Sequence, residues 1–160
     1  MKRLVLILLV GLPGMVLAEN EAFRPLADSI VAAVGDRDFV KFVKCFPENT
    51  EFFAHLKSAE RSPKNITLAD VNQKLADRHK TLSQCFAKVL QAMEEANLTF
   101  DSLRIASLSV SGPRPGGKEM NLLKIELTDK GGKKLLLLVH DLVLVGDRWL
   151  VGDKVTAQTE

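Results

Sequence analysis

Three histidines, His55, His79 and His140, are the side chains whose titration near neutral pH would suit acid–base work. They are far apart in sequence and never stand four residues apart. A zinc site needs three or four ligands at recognisable spacing, so no metal is expected. His79 falls on the apolar stripe of a long predicted helix, beside Asp77 and Arg78. It reads as a boundary histidine, with a general base as the sharper alternative. His140 and Asp141 interrupt an apolar strand, and successive strand residues face opposite sides. They can act as a pair only where a bulge re-aims one of them. An acid or base role would therefore fall to His79, His140 or Asp141.

Cys45 and Cys85 are the only two cysteines. In an oxidising compartment, on adjacent helices, they can form one disulfide closing a loop of about 40 residues, a contribution of roughly 3 to 4 kcal/mol. Two buried thiols are the alternative. The spacing is not that of a redox pair. No glycine-rich phosphate loop follows a strand, and no G-x-S-x-G elbow is present. The chain has no tyrosine and one tryptophan, Trp149, which argues against a sugar-stacking platform. No cofactor is expected. Asn65-Ile66-Thr67 and Asn97-Leu98-Thr99 match the glycosylation pattern, which is short enough to arise by chance.

The first residues are a different object from the rest. Met1 to Ala18 has a cationic start (Lys2, Arg3), an apolar run from Leu4 to Val10, and short residues at Val16 and Ala18. This is the pattern of a signal peptide cleaved between Ala18 and Glu19. The run is too short and too interrupted for a membrane anchor, which needs roughly 20 apolar residues. A periplasmic or secreted location is expected, with one domain over 19–160. That domain carries 20 basic and 20 acidic side chains, evenly spread. A nucleic-acid or anionic-membrane partner would call for a basic excess, so neither is expected.

Residues 20–100 show helical periodicity. Phe23, Leu26, Ala27, Ile30, Val31 and Val34 line one helix face; Gly35 should end it, and Asp36 or Asp38 should cap the next, which Pro47 closes. Residues from Thr50 to Leu56 read as a helical turn more readily than a strand. From Leu68, a stripe through Leu75, His79, Leu82, Phe86, Val89 and Met93 predicts a helix on the order of 43 Å long. That exceeds the domain's expected diameter, so the helix should bend, break or overhang near Asp77 to Lys80.

Over 103–155 the period changes to two. Four strands are expected, with turns at Gly112 to Gly117, at Asp129 to Gly132 and at Gly146-Asp147. Leu135 to Val139 and Leu142 to Val145 are apolar on both faces. This third strand should be covered by helices on one side and, on the other, by the N-terminal segment or a second subunit. All eight phenylalanines lie in the helical half. Helices first and a meander after them specify an α+β fold: N-terminal helices packed on a curved four-stranded antiparallel sheet.

Two stretches carry a family likeness. Ala33-Val34-Gly35-Asp36-Arg37-Asp38-Phe39 is similar to the helix, Gly-Asp turn and second helix of the nuclear transport factor 2-like superfamily, of cystatin-like fold. Leu142 to Val155, with Gly146-Asp147-Arg148-Trp149, resembles its closing hairpin. The resemblance implies a cone-shaped sheet with Trp149 pointing in as a ligand-contacting residue, and it carries no catalytic residue to this chain. Family enzymes place a strand between the second and third helices; here only Thr50 to Phe53 offers one. The expectation is a non-catalytic exported binding or structural module, homodimeric through the outer sheet face, with an unknown protein or a small apolar ligand as partner. The alternative is a polyketide cyclase-like lyase or isomerase using His79, His140 or Asp141 at the mouth of the cone.

Overall fold

The computed structural model describes residues 21–51, 68–112 and 122–159. The leader, His55, Asn65, the segment Phe52 to Leu56 and the Pro113 to Gly117 loop lie outside them. Helix α1 spans Arg24–Gly35, with Pro25 in its first turn, where the missing N–H costs nothing. Its apolar stripe buries Leu26, Ala27, Ile30, Ala33 and Val34. The helix ends at Gly35, as the sequence suggests, and the left-handed residue that closes it lies two positions on. Arg37 takes the left-handed conformation (φ 54°), and the amides of Arg37 and Asp38 donate to the carbonyls of Val34 and Ala33.

Asp38 caps helix α2 (Phe39–Val43), accepting a bond from the Lys41 amide at 3.0 Å. Residues 49–51 begin a further helical turn, so the described part of the Thr50 segment is helix. Helix α3 runs unbroken from Leu68 to Glu95, without the break considered near Asp77 to Lys80. Its buried positions, Leu82, Cys85, Phe86, Val89 and Met93, lie in the C-terminal part, while Asp77, His79 and Lys80 are exposed. Asn97 ends it in the left-handed region (φ 52°), with Leu98 N–H bonded to Met93 O and Asn97 N–H to Glu94 O.

A short turn, Phe100–Ser102, leads into the sheet. Strands β1 (Arg104–Ser111), β2 (Leu122–Thr128), β3 (Lys134–Val145) and β4 (Arg148–Gln158) form an antiparallel meander in the order β1-β2-β3-β4. The α+β architecture read from the periodicity is thus the one observed. Gly146 (φ 64°) turns the β3–β4 hairpin. In the β2–β3 turn, Asp129 is the one buried charged residue among those described. Its carboxylate accepts the amides of Thr99 and Lys133, each at 3.0 Å, which ties the end of α3 to the hairpin. Those bonds, the Thr99 one foremost, hold its carboxyl below the usual range.

One face of the sheet meets the helices. Leu123, Ile125 and Leu127 of β2, Leu135, Leu137 and Val139 of β3, and Val151 of β4 share a core with Ile30, Phe42, Val89 and Met93. On the opposite face, Leu138, Val143 and Leu150 are also buried, at 8, 8 and 4% exposure. Leu138 stands in register between Lys124 and Thr156, whose aliphatic parts flank it. On this face Leu138 is buried beside its strand neighbours, while Leu136 is half-buried.

Candidate functional site

A wide groove on the described surface is built around the short helix α2. Phe42 of α2 points into the core, whereas Phe39 and Val43 are half-buried and Val40 is 65% exposed. Five apolar positions between Phe39 and Phe46 are more than one face of so short a helix can bury. The surplus becomes a groove wall. Across from it, α3 brings Arg78 and His79, and the β3–β4 hairpin brings Arg148. The groove encloses about 740 Å³.

Polar contacts fix its rim. Arg78 donates to the Pro47 carbonyl and, at 3.0 Å, to Asn49 Oδ1. Arg148 bonds Glu51 Oε1 at 3.1 Å. The His79 ring stands edge-on to Phe39, with centroids 5.4 Å apart. The lining thus offers an aliphatic and aromatic floor (Phe39, Val40, Val43, Phe46) with Lys44, Arg78 and Arg148 set against Glu48 and Glu51. It can hold a molecule with an apolar body and an anionic end; it presents no nucleophile beside a base.

The remaining candidates lie elsewhere. A register shift between His140 and Leu142 puts a bulge at Asp141, which is exposed at φ 58°. Among the described residues no hydrogen bond joins Asp141 to His140. His140 is half-buried, its Nε2 lying 3.0 Å from Thr156 Oγ1, and burial lowers its pKa. It faces away from the helices, in register with Leu122 and Lys154. The three acid–base candidates therefore do not converge, and the inner side of the sheet is filled by side chains such as Phe42 and Met93, both fully buried.

Trp149 does lie on the helix side, at the rim of the core, half-buried with its ring 4.8 Å from that of Phe23. The two cysteines are not bridged; both are buried free thiols. Cys85 Sγ sits 2.7 Å from Val155 O and accepts the Val155 amide at 3.3 Å, while Cys45 Sγ contacts Lys41 O at 3.7 Å. Each sulfur is thus committed to a different backbone group. Burial pushes the Cys45 thiol up to about 12 and raises that of Cys85, so neither is poised as a nucleophile.

Sequence reasoning passed over Val40, Arg78 and Arg148. The available signal was the excess of apolar residues in α2. Among the described residues no group of three or more histidine, cysteine or acidic side chains is placed to hold a metal, and no helix is long and apolar enough to cross a membrane. Comparison with protein-family models, curated proteins and solved structures gives no match.

Proposed function

We propose that this chain is an exported, non-catalytic binding module whose ligand is an amphiphile with an apolar body and an anionic head, held in the groove between α2 and α3. One observation carries the reading: Val40, at 65% exposure, stands on an apolar floor rimmed by Lys44, Arg78 and Arg148. An apolar body covers Val40, Phe39 and Val43, and the head meets the cationic rim. The leader-like pattern of residues 1–18 supports export.

The test is titration of the purified protein with anilinonaphthalene sulfonate, followed by displacement with dodecanoate and, as a control, dodecyltrimethylammonium. Binding with displacement by dodecanoate is expected, and Val40→Asp should weaken it by at least about tenfold at unchanged thermal stability. Absence of binding, equal displacement by the cationic amphiphile, or an unaffected Val40→Asp variant overturns the proposal. N-terminal sequencing of exported protein should begin at Glu19; a chain retained whole contradicts the export part.

A further inference from the structure

Among the described residues, the sheet has one edge with no strand beyond it. Strand β1 pairs only with β2. Among the described residues, the backbone groups of Ile105 to Ser111 have no partner on the far side. Every second residue of an edge strand points its N–H and C=O outward, so these groups form a ladder open to another strand.

Edges are ordinarily blunted by charge, proline, a bulge or brevity. Here the run Ile105 to Ser111 carries no charged residue and no proline. Its bulge falls between Ile105 and Ser107, and Ser107 to Ser111 pair in unbroken register with Glu126 to Leu122. The regular, uncharged part is thus the part left open.

Side chains on the helix side tell the same story. Leu123, Ile125 and Leu127 of β2 are fully buried, yet their partners Val110, Leu108 and Ile105 on β1 are only half-buried. Beside the start of β1 lies a groove of about 460 Å³, where Val31, Ala32 and Gly35 of α1 face Leu103 and Ile105, with Arg24, Asp28 and Arg104 at its margin. Open space thus adjoins α1 and the first residues of the edge strand.

We infer that a second copy of this chain adds its own β1 here, antiparallel about a two-fold axis, to make one continuous eight-stranded sheet. The occupant is specified by self-complementarity. Antiparallel pairing sets same-face residues opposite each other, so Ser107, Ser109 and Ser111 meet serines on the outer face, and Leu108 and Val110 meet aliphatic side chains on the inner face. The one charge of the strand, Arg104, is at its end. With the two-fold at Ser109, the two copies of it lie roughly 30 Å apart, too far to repel at physiological salt. This interface lies away from the α2–α3 groove, and it differs from the outer-face dimer expected from sequence.

Sedimentation velocity of the purified protein over a concentration series decides the matter. A monomer–dimer equilibrium is expected. Ser109→Glu should remove it: the new carboxylate stands in register with Lys124 within the chain, preserving the fold, but meets its like across the two-fold. Ser109→Thr should keep the dimer, and mixing Ser109→Glu with Ser109→Lys should restore it. Lys154→Glu, on the outer face, should leave it unchanged. A strict monomer, a dimer that survives Ser109→Glu, or one that is lost with Lys154→Glu overturns the inference.

Discussion

At β4 the sheet ends against protein, whereas at β1 it ends in the open. Val151 N–H, on the far side of β4, donates to Cys45 O at 2.9 Å, and Val155 shares both its backbone groups with the Cys85 sulfur. The same strand carries Arg148, Asp153 and Lys154, and a register shift opposite Asp141 interrupts its ladder. Strand β1 has none of this along its regular part and is tied only where it starts. There Asp129 holds Thr99, and Ser102 Oγ accepts the Lys130 amide at 3.2 Å. One edge is closed by the Cys45 carbonyl and the Cys85 thiol; the other is positioned by a turn and left available.

The contrast can be broken most forcefully at the closed edge. Gly152 faces the bulge so closely that a Cβ there would lie 2.5 Å from Asp141 O and 3.0 Å from Val143 Cγ1. The nearer atom is backbone and cannot rotate away. Gly152→Ala should therefore force β3 and β4 apart and destabilise the fold by about 3 kcal/mol, read as a lowered denaturant midpoint. A change within about 0.5 kcal/mol would mean the bulge is not a fixed feature of this edge.

How much of this was legible follows from which interactions are local. Helix and strand periods, the Asp38 cap, the Gly146 hairpin and the order of elements depend on neighbours in sequence, and they could be read there. Three features were not. The left-handed turn after α1 falls at Arg37 and not at Gly35, and it is reinforced from a distance: the Arg37 guanidinium lies 4.1 Å over the Phe100 ring and 3.4 Å from Glu94. Whether the cysteines bridge stayed open in sequence because the Cys85 sulfur is claimed by Val155, 70 residues away. The groove stayed hidden because Arg78 and Arg148 join it from separate elements. Even the bulge at Asp141, which the His140-Asp141 interruption suggested, acts through Gly152 on another strand.

At the open edge, Asp129 is the fastening to remove. Asp129→Asn retains one acceptor oxygen for two amides, those of Thr99 and Lys133, and replaces the other with a donor. The melting temperature should fall by several degrees, less than for Gly152→Ala. The pH dependence gives the sign independently. A carboxyl whose folded pKa is depressed contributes stability above its unfolded value, about 3.9, and loses it as pH falls through the folded one. Wild-type protein should therefore lose more stability than Asp129→Asn on acidification from about pH 5 to pH 2. Parallel curves would show that the carboxylate does not hold the start of β1.

The smallest change sharpens the comparison without touching either ladder. Gly35 is helical, and an added Cβ would meet only Phe100 O at 3.6 Å and Leu103 Cδ1 at 3.8 Å, ordinary van der Waals separations. Since the left-handed position belongs to Arg37, nothing in the backbone reserves this site for glycine. Gly35→Ala should stabilise the monomer by about 0.5 kcal/mol, by reducing the freedom of the unfolded chain. Its methyl group would stand in the groove beside β1, where the inner side chains of an added strand would lie. If α1 leaves room there for a second copy, the variant should gain stability and keep its self-association. A loss of stability would instead show that the wall beside β1 is already full, leaving too little space for another strand.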